Sequence, residues 1–137
     1  GINDVVGREV TEMNDNRTRY ERGRDILAEI SGTSVDAPKA GYAIFTPAIE
    51  RFLKEHLFAD IFERDLLTYR ERELATVSIL AGVGGVEPMF RSHAAICLHL
   101  GVTAEQLSAL LNIVEMNLGT SYSEPLRNIL EQIVKQK

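Results

Sequence analysis

A chain of 137 residues, 45% hydrophobic and 26% charged, has the size and composition of one globular domain, here spanning residues 1–137. Its net charge of −5, from 15 basic and 20 acidic side chains, argues against nucleic-acid binding and against docking on a membrane through a polybasic patch. The lone cysteine, Cys97, excludes an internal disulfide and a Cys-x-x-Cys pair.

In chain order the punctuation predicts helix after helix. Residues 1–18 read as an N-terminal extension. A helical pattern runs from about Asn14 to Ile30 through Tyr20, Ile26 and Leu27, and Ser31-Gly32 stops it. Thr33 to Tyr42 form a link. Thr46 is placed to cap the next helix, with Pro47 at its first position, where a missing amide donor costs nothing. Behind it, Ile49, Phe52, Leu53, His56 and Leu57 share one face, which predicts a packed His56.

Thr68 and Glu71 have capping-box spacing before Leu74 to Val83, and Gly84-Gly85 end that helix. Pro88 opens the following helix, which reaches Leu100 before Gly101. Thr103 with Gln106 and Ser121 with Glu124 predict two more capping boxes, opening helices to Leu118 and to about Val134. No alternating strand pattern occurs, so the expected class is an all-α bundle of about six helices.

Two of these helices, Leu74–Val83 and Gln106–Leu118, are apolar almost all round. Such helices must be covered on every side. A short chain has few helices to do this, so self-association is expected, the alternative being two central helices of a compact bundle. The longest uncharged apolar stretch, Leu74 to Val86, contains three glycines and is too short to span a bilayer. The chain opens on Gly1 rather than Met, as after processing, and carries no secretory signal. The cytoplasm is the expected compartment.

Ionisable groups concentrate between Thr68 and Gly101. His93 lies one turn before Cys97, so the two share a helix face. His93 is either an acid or base near neutral pH or a half-buried imidazole bonded to backbone. Cys97 is either a thiol activated by that imidazole or an inert small hydrophobe between Ile96 and Leu98. Glu73 shares a stripe with Val77 and Leu80; it is either an acid–base carboxylate in apolar surroundings or a favourable charge at a helix N-terminus. Arg91 follows Glu87 by four residues, the spacing of a helical ion pair, and sits about 200° from His93 around the helix. Arg70 and Arg72 alternate with Glu71 and Glu73 in a mixed-charge first turn. No metal-ligand spacing and no phosphate-binding glycine loop is present.

Taken together, Arg19-Tyr20-Glu21-Arg22-Gly23, Thr46-Pro47-Ala48, Leu57-Phe58-Ala59-Asp60-Ile61-Phe62, Arg72-Glu73-Leu74-Ala75-Thr76, Gly84-Gly85, Arg91-Ser92-His93 and Gly101-Val102-Thr103 resemble the carboxymuconolactone decarboxylase family. The likeness covers residues 19–118. It implies the all-helical alkylhydroperoxidase D-like fold, assembled as a homotrimer or homohexamer with sites near subunit contacts. The peroxidase branch of that superfamily uses Cys-x-x-Cys-x-x-x-His and an upstream glutamate. Aligned on His93, the thiols fall at Val86 and Met89 and the glutamate near Glu73, so both thiols are missing. The decarboxylase branch has Arg-x-His, matched by Arg91-Ser92-His93. Its aromatic-x-Gly-x-Pro-Ala-like stretch is replaced here by Met116-Asn117-Leu118-Gly119-Thr120-Ser121. The resemblance thus implies a cofactor-free lyase for a small carboxylated lactone or related acid. His93 and Glu73 would be catalytic, Arg91 or Arg72 would anchor the substrate carboxylate, and Cys97 would be the redox candidate if the chain were a peroxidase-like oxidoreductase. A non-catalytic small-molecule binder is the third reading.

Overall fold

The computed structural model describes residues 7–12, 14–39 and 41–136; the remainder of the expected extension, residues 1–6 and 13, lies outside the described residues. Every regular element among them is helical: α1 (Arg19–Ser31), α2 (Tyr42–Phe45), α3 (Pro47–Phe52) running directly into a π-helical segment (Leu53–Phe62), α4 (Tyr69–Val83), α5 (Glu87–His99), α6 (Ala104–Leu118) and α7 (Thr120–Lys135). The expectation of about six helices is exceeded because α2 is an extra short turn of helix between the link and Thr46. No helix among the described residues is long and apolar enough to cross a membrane. The backbone falls into two compact units, one of residues up to Glu29 together with Thr33–Thr68, the other of Ile30–Gly32 with Tyr69–Lys137.

In the first unit, α1 begins at Arg19 rather than near Asn14. The amide of Arg17 bonds the Asp15 carboxylate at 2.8 Å, a side-chain turn that competes with helix. Thr18 then caps: its Oγ1 accepts from the Glu21 amide at 3.2 Å, while Glu21 Oε2 accepts from the Thr18 amide at 2.8 Å. Pro47 occupies the first turn of α3 as expected, but no side-chain hydrogen bond from Thr46 caps it.

The predicted apolar face behind Pro47 is not the buried one. Ile49 and Phe52 are 53% and 63% exposed, and His56 is exposed rather than packed. From Leu53 the backbone widens to i→i+5 bonding, as in the Glu63 amide to Phe58 carbonyl bond of 3.1 Å. The wider turn rotates the register, so Phe58, Ala59 and Phe62 enter the core instead. Phe58 and Phe62 meet with ring centroids 5.3 Å apart, a tilted aromatic contact. Gly23 of α1 lies against this segment. A Cβ there would stand 1.8 Å from the Lys54 carbonyl oxygen, so only glycine fits.

The second unit packs α4 on α5 and α6 on α7, with α7 also touching α4 and α5, and α4 touching α6. The stripe Leu126, Ile129, Leu130, Ile133 on α7 follows the 3, 4, 7 helical spacing and is buried along its length. It closes over Val77 and Ala81 of α4, Phe90, Ala94 and Cys97 of α5, and Leu107, Leu111 and Val114 of α6. Each large side chain buried in this way contributes about 1.5–3 kcal/mol. The Thr103–Gln106 capping box forms with both its bonds. The Ser121–Glu124 box does not: α7 starts two residues earlier, at Thr120, directly behind Gly119, and Ser121 lies inside the first turn. Within this chain α4 and α6 bury one side only, leaving Ile79, Val83, Ile113 and Met116 between 59% and 85% exposed.

Candidate functional site

Three of the predicted site residues, Glu73, His93 and Cys97, lie in the second unit, on the packed helices α4 and α5. Glu73 is fully buried at the head of the α4 stripe that continues to Val77. Its Oε2 lies 2.7 Å from His93 Nδ1, which brings the two predicted residues together. The other carboxylate oxygen, Oε1, is buried with no hydrogen-bond partner. The Nδ1 contact holds the imidazole in one orientation. The His93 side chain keeps 23% exposure, against 1% for the Glu73 side chain, so the imidazole is the half of the pair that solvent or a ligand reaches. The alternative of a histidine satisfied by backbone is replaced by a carboxylate-oriented one.

Cys97 shares the His93 face, as its spacing predicts, but is fully buried. Burial, and secondarily the nearby Glu73 charge, pushes its thiol up to about 12. A thiol in that state is protonated near neutral pH and is not a nucleophile.

The two arginines are placed differently. Arg91 reaches across to Gln132 Oε1 on α7 instead of pairing with Glu87, and helix geometry turns it away from His93. Arg72 is half-buried next to Glu73 in the chain. Arg70 donates to Gln106 Oε1 at 2.9 Å, tying the first turn of α4 to that of α6. Where α4 turns into α5, a cavity of about 290 Å³ is lined by Leu80, Gly84, Gly85, Glu87, Ser121 and Tyr122 among others, the last two from the chain following Met116–Gly119. Gly84 has φ +70°, and a Cβ there would meet the Tyr122 ring at 2.9 Å, so glycine both turns the chain and seats the aromatic.

Two features of the first unit escaped sequence reasoning. Exposed His56 lies 3.3 Å from Asp60 Oδ2, and Arg19 grips the same carboxylate. Burial pushes Asp60 up, but the Arg19 and His56 hydrogen bonds outweigh it and hold the carboxyl below its ordinary range. Glu50, only 4% exposed, bonds Lys54, accepts from Tyr20 Oη at 3.2 Å and has Lys39 Nζ at 3.6 Å. The available signal was the Glu50–Lys54 spacing of four, which reads on its own as a surface ion pair. Among the described residues no group of three or more His, Cys, Asp or Glu side chains is arranged to hold a metal ion.

An all-helical chain with a buried carboxylate orienting a half-exposed imidazole on neighbouring helices is the class defined by this fold and site. Residues 47–131, more than half the chain, match the model of the carboxymuconolactone decarboxylase family, and the chain belongs to that family. The match starts after Arg19–Gly23 and extends past Leu118 into α7. A comparison with curated proteins found no match.

Proposed function

We propose that this protein is a cofactor-free lyase that removes carbon dioxide from a small carboxylated lactone or a related acid. The observation that carries the reading is the 2.7 Å contact between buried Glu73 and half-exposed His93. In such a reaction the bond between the ring carbon and the carboxylate breaks, and its electron pair spreads into the lactone carbonyl. His93 Nε2 then gives a proton to carbon and recovers one from solvent. Glu73 acts through His93 as a positioning residue, holding the imidazole through the 2.7 Å contact. Arg72, half-buried in the same turn of α4 as Glu73, would hold the departing carboxylate. Arg91 serves only where a second copy brings it to the dyad.

Self-assembly belongs to the same reading. The exposed apolar residues of α4 and α6, Ile79, Val83, Ile113 and Met116, are the surface that further copies would cover. The competing redox reading needs a thiolate at Cys97, and a buried thiol pushed up to about 12 does not supply one.

The test is carbon dioxide release from a carboxymuconolactone, with the wild-type chain and His93→Ala compared at equal helicity and equal assembly state. Loss of a general acid lowers turnover by roughly 10²–10⁴-fold. Unchanged turnover in His93→Ala removes His93 from the mechanism. Saturable stabilisation by the lactone with no turnover in the wild type favours the non-catalytic binder.

A further inference from the structure

The first unit contains a cavity of about 180 Å³ whose walls include Arg24, Lys39, Lys54 and Glu50, with Leu27 and Ala43 among its apolar parts. Three cations and one carboxylate line this concavity, and with Asp25 paired to Arg24 from outside the wall, three positive charges against two negative leave it net positive in a chain whose net charge is −5. The single carboxylate is already engaged. Burial raises Glu50, but hydrogen bonds from Lys54 and Tyr20 and the charge of Lys39 outweigh it and hold the group below its ordinary range.

The cations, in contrast, retain donors. Lys54 uses two of its three, on Glu50 and Tyr20 Oη. Lys39 sits 3.6 Å from Glu50, beyond hydrogen-bond distance, with its side chain 56% exposed. Arg24 gives Nε and Nη2 to Asp25 Oδ1 at 2.9 and 2.7 Å and keeps Nη1. Lys54 also lies 4.9 Å from the centroid of the Tyr20 ring, so its ammonium is held from two sides.

We propose that this cavity is a binding site for a small dicarboxylate, separate from the Glu73–His93 dyad and independent of the reaction assigned to it. Its volume is below the roughly 300 Å³ where drug-sized ligand pockets begin, so the ligand is a few carbons long. One carboxylate meets Lys39 at the rim and the Arg24 Nη1 side. The other approaches the remaining Lys54 proton, and the short carbon chain lies against Leu27 and Ala43. Charge-assisted hydrogen bonds of this kind are the strong ones, and a monoanion would make only half of them.

The experiment is calorimetric titration of the full chain with succinate at constant ionic strength, with succinamide as the uncharged control. Saturable binding of succinate and none of succinamide is expected. Lys39→Gln and Arg24→Gln, both on side chains at least a third exposed, should each weaken it about tenfold. His93→Gln should leave it unchanged. Absence of saturable binding at millimolar succinate overturns the proposal, as does equal binding of succinamide. Binding kept in Lys39→Gln and lost in His93→Gln also overturns it, because the acid would then sit on the dyad.

Discussion

Glu50 and Glu73 are both buried carboxylates, at 4% and 0% exposure, and the two units treat them in opposite ways. Glu50 is surrounded by a lysine, a tyrosine hydroxyl and a second lysine, so its desolvation is offset from several directions. Glu73 has one imidazole on Oε2 and nothing on Oε1. An unpaired polar atom in a core costs stability. The first arrangement is the economy of a structural ion pair. The second leaves a buried carboxylate with the His93 imidazole as its one hydrogen-bond partner.

This contrast is broken most directly at the packing that holds the first arrangement in place. Gly23→Ala sets a methyl 1.8 Å from the Lys54 carbonyl oxygen, backbone that cannot swing aside. The π-helical segment must then move, at a cost of about 3 kcal/mol or more. Urea unfolding measures it, and an unchanged midpoint would mean that α1 does not rest on Lys54 as described. Close in size is Lys54→Met, which keeps the stem and deletes the charge. Breaking one side of a buried pair costs about 3 kcal/mol at the lower end, because Glu50 is left behind. A loss well under that would show that Tyr20 and Lys39 carry Glu50 unaided.

In the second unit the corresponding lever is Cys97. Its ordinary value of 9.0 is raised in the folded chain to about 12, first by burial and then by Glu73. Above pH 9 the unfolded chain gives up the thiol proton while the folded chain retains it, so stability falls as pH rises toward 12. One proton contributes about 1.4 kcal/mol per pH unit over that window. Cys97→Ala adds a pH-independent packing loss and removes this part of the slope. Chemical denaturation of both proteins at several pH values above 9 tests it. Equal slopes would place the thiol in contact with solvent.

Much of this second unit is legible in the sequence. Thr103 and Gln106 announce their helix, and the Gly84-Gly85 pair closes α4 where expected. The Glu73–Val77 stripe and the His93–Cys97 face follow from helical period alone, and the two faces meet. The first unit is harder to read. Its π-helical segment packs closely on Gly23 at Lys54, and neither residue signals that in the sequence. An α-helical period applied to Leu53–Phe62 therefore buried the wrong face and misplaced His56. Glu50 and Lys54 were hidden for the reverse reason: four-residue spacing of opposite charges is ordinary on surfaces, and only the fold puts it inside. Arg91 was assigned to its neighbour Glu87 because local pairing is all a sequence displays, whereas Gln132 arrives from α7.

The smallest expected effect on stability is the sharpest test of the contrast. Glu73→Gln keeps an oxygen to accept from His93 Nδ1 and replaces an unsatisfied buried oxygen with an amide group of the same shape. Removing a poorly compensated charge offsets burying the amide, so stability should stay within about 1 kcal/mol of the wild type. Lys54→Met, altering the well-satisfied pair, should cost several times more. Activity should run the other way. With the carboxylate replaced, the imidazole is held less firmly, and turnover should drop by at least about tenfold even though the fold is intact. The His93 side-chain resonances, followed by proton NMR, report whether the contact with position 73 survives the substitution. Should Glu73→Gln unfold the chain as readily as Lys54→Met, Glu73 is a structural partner like Glu50, and the dyad loses its claim to chemistry.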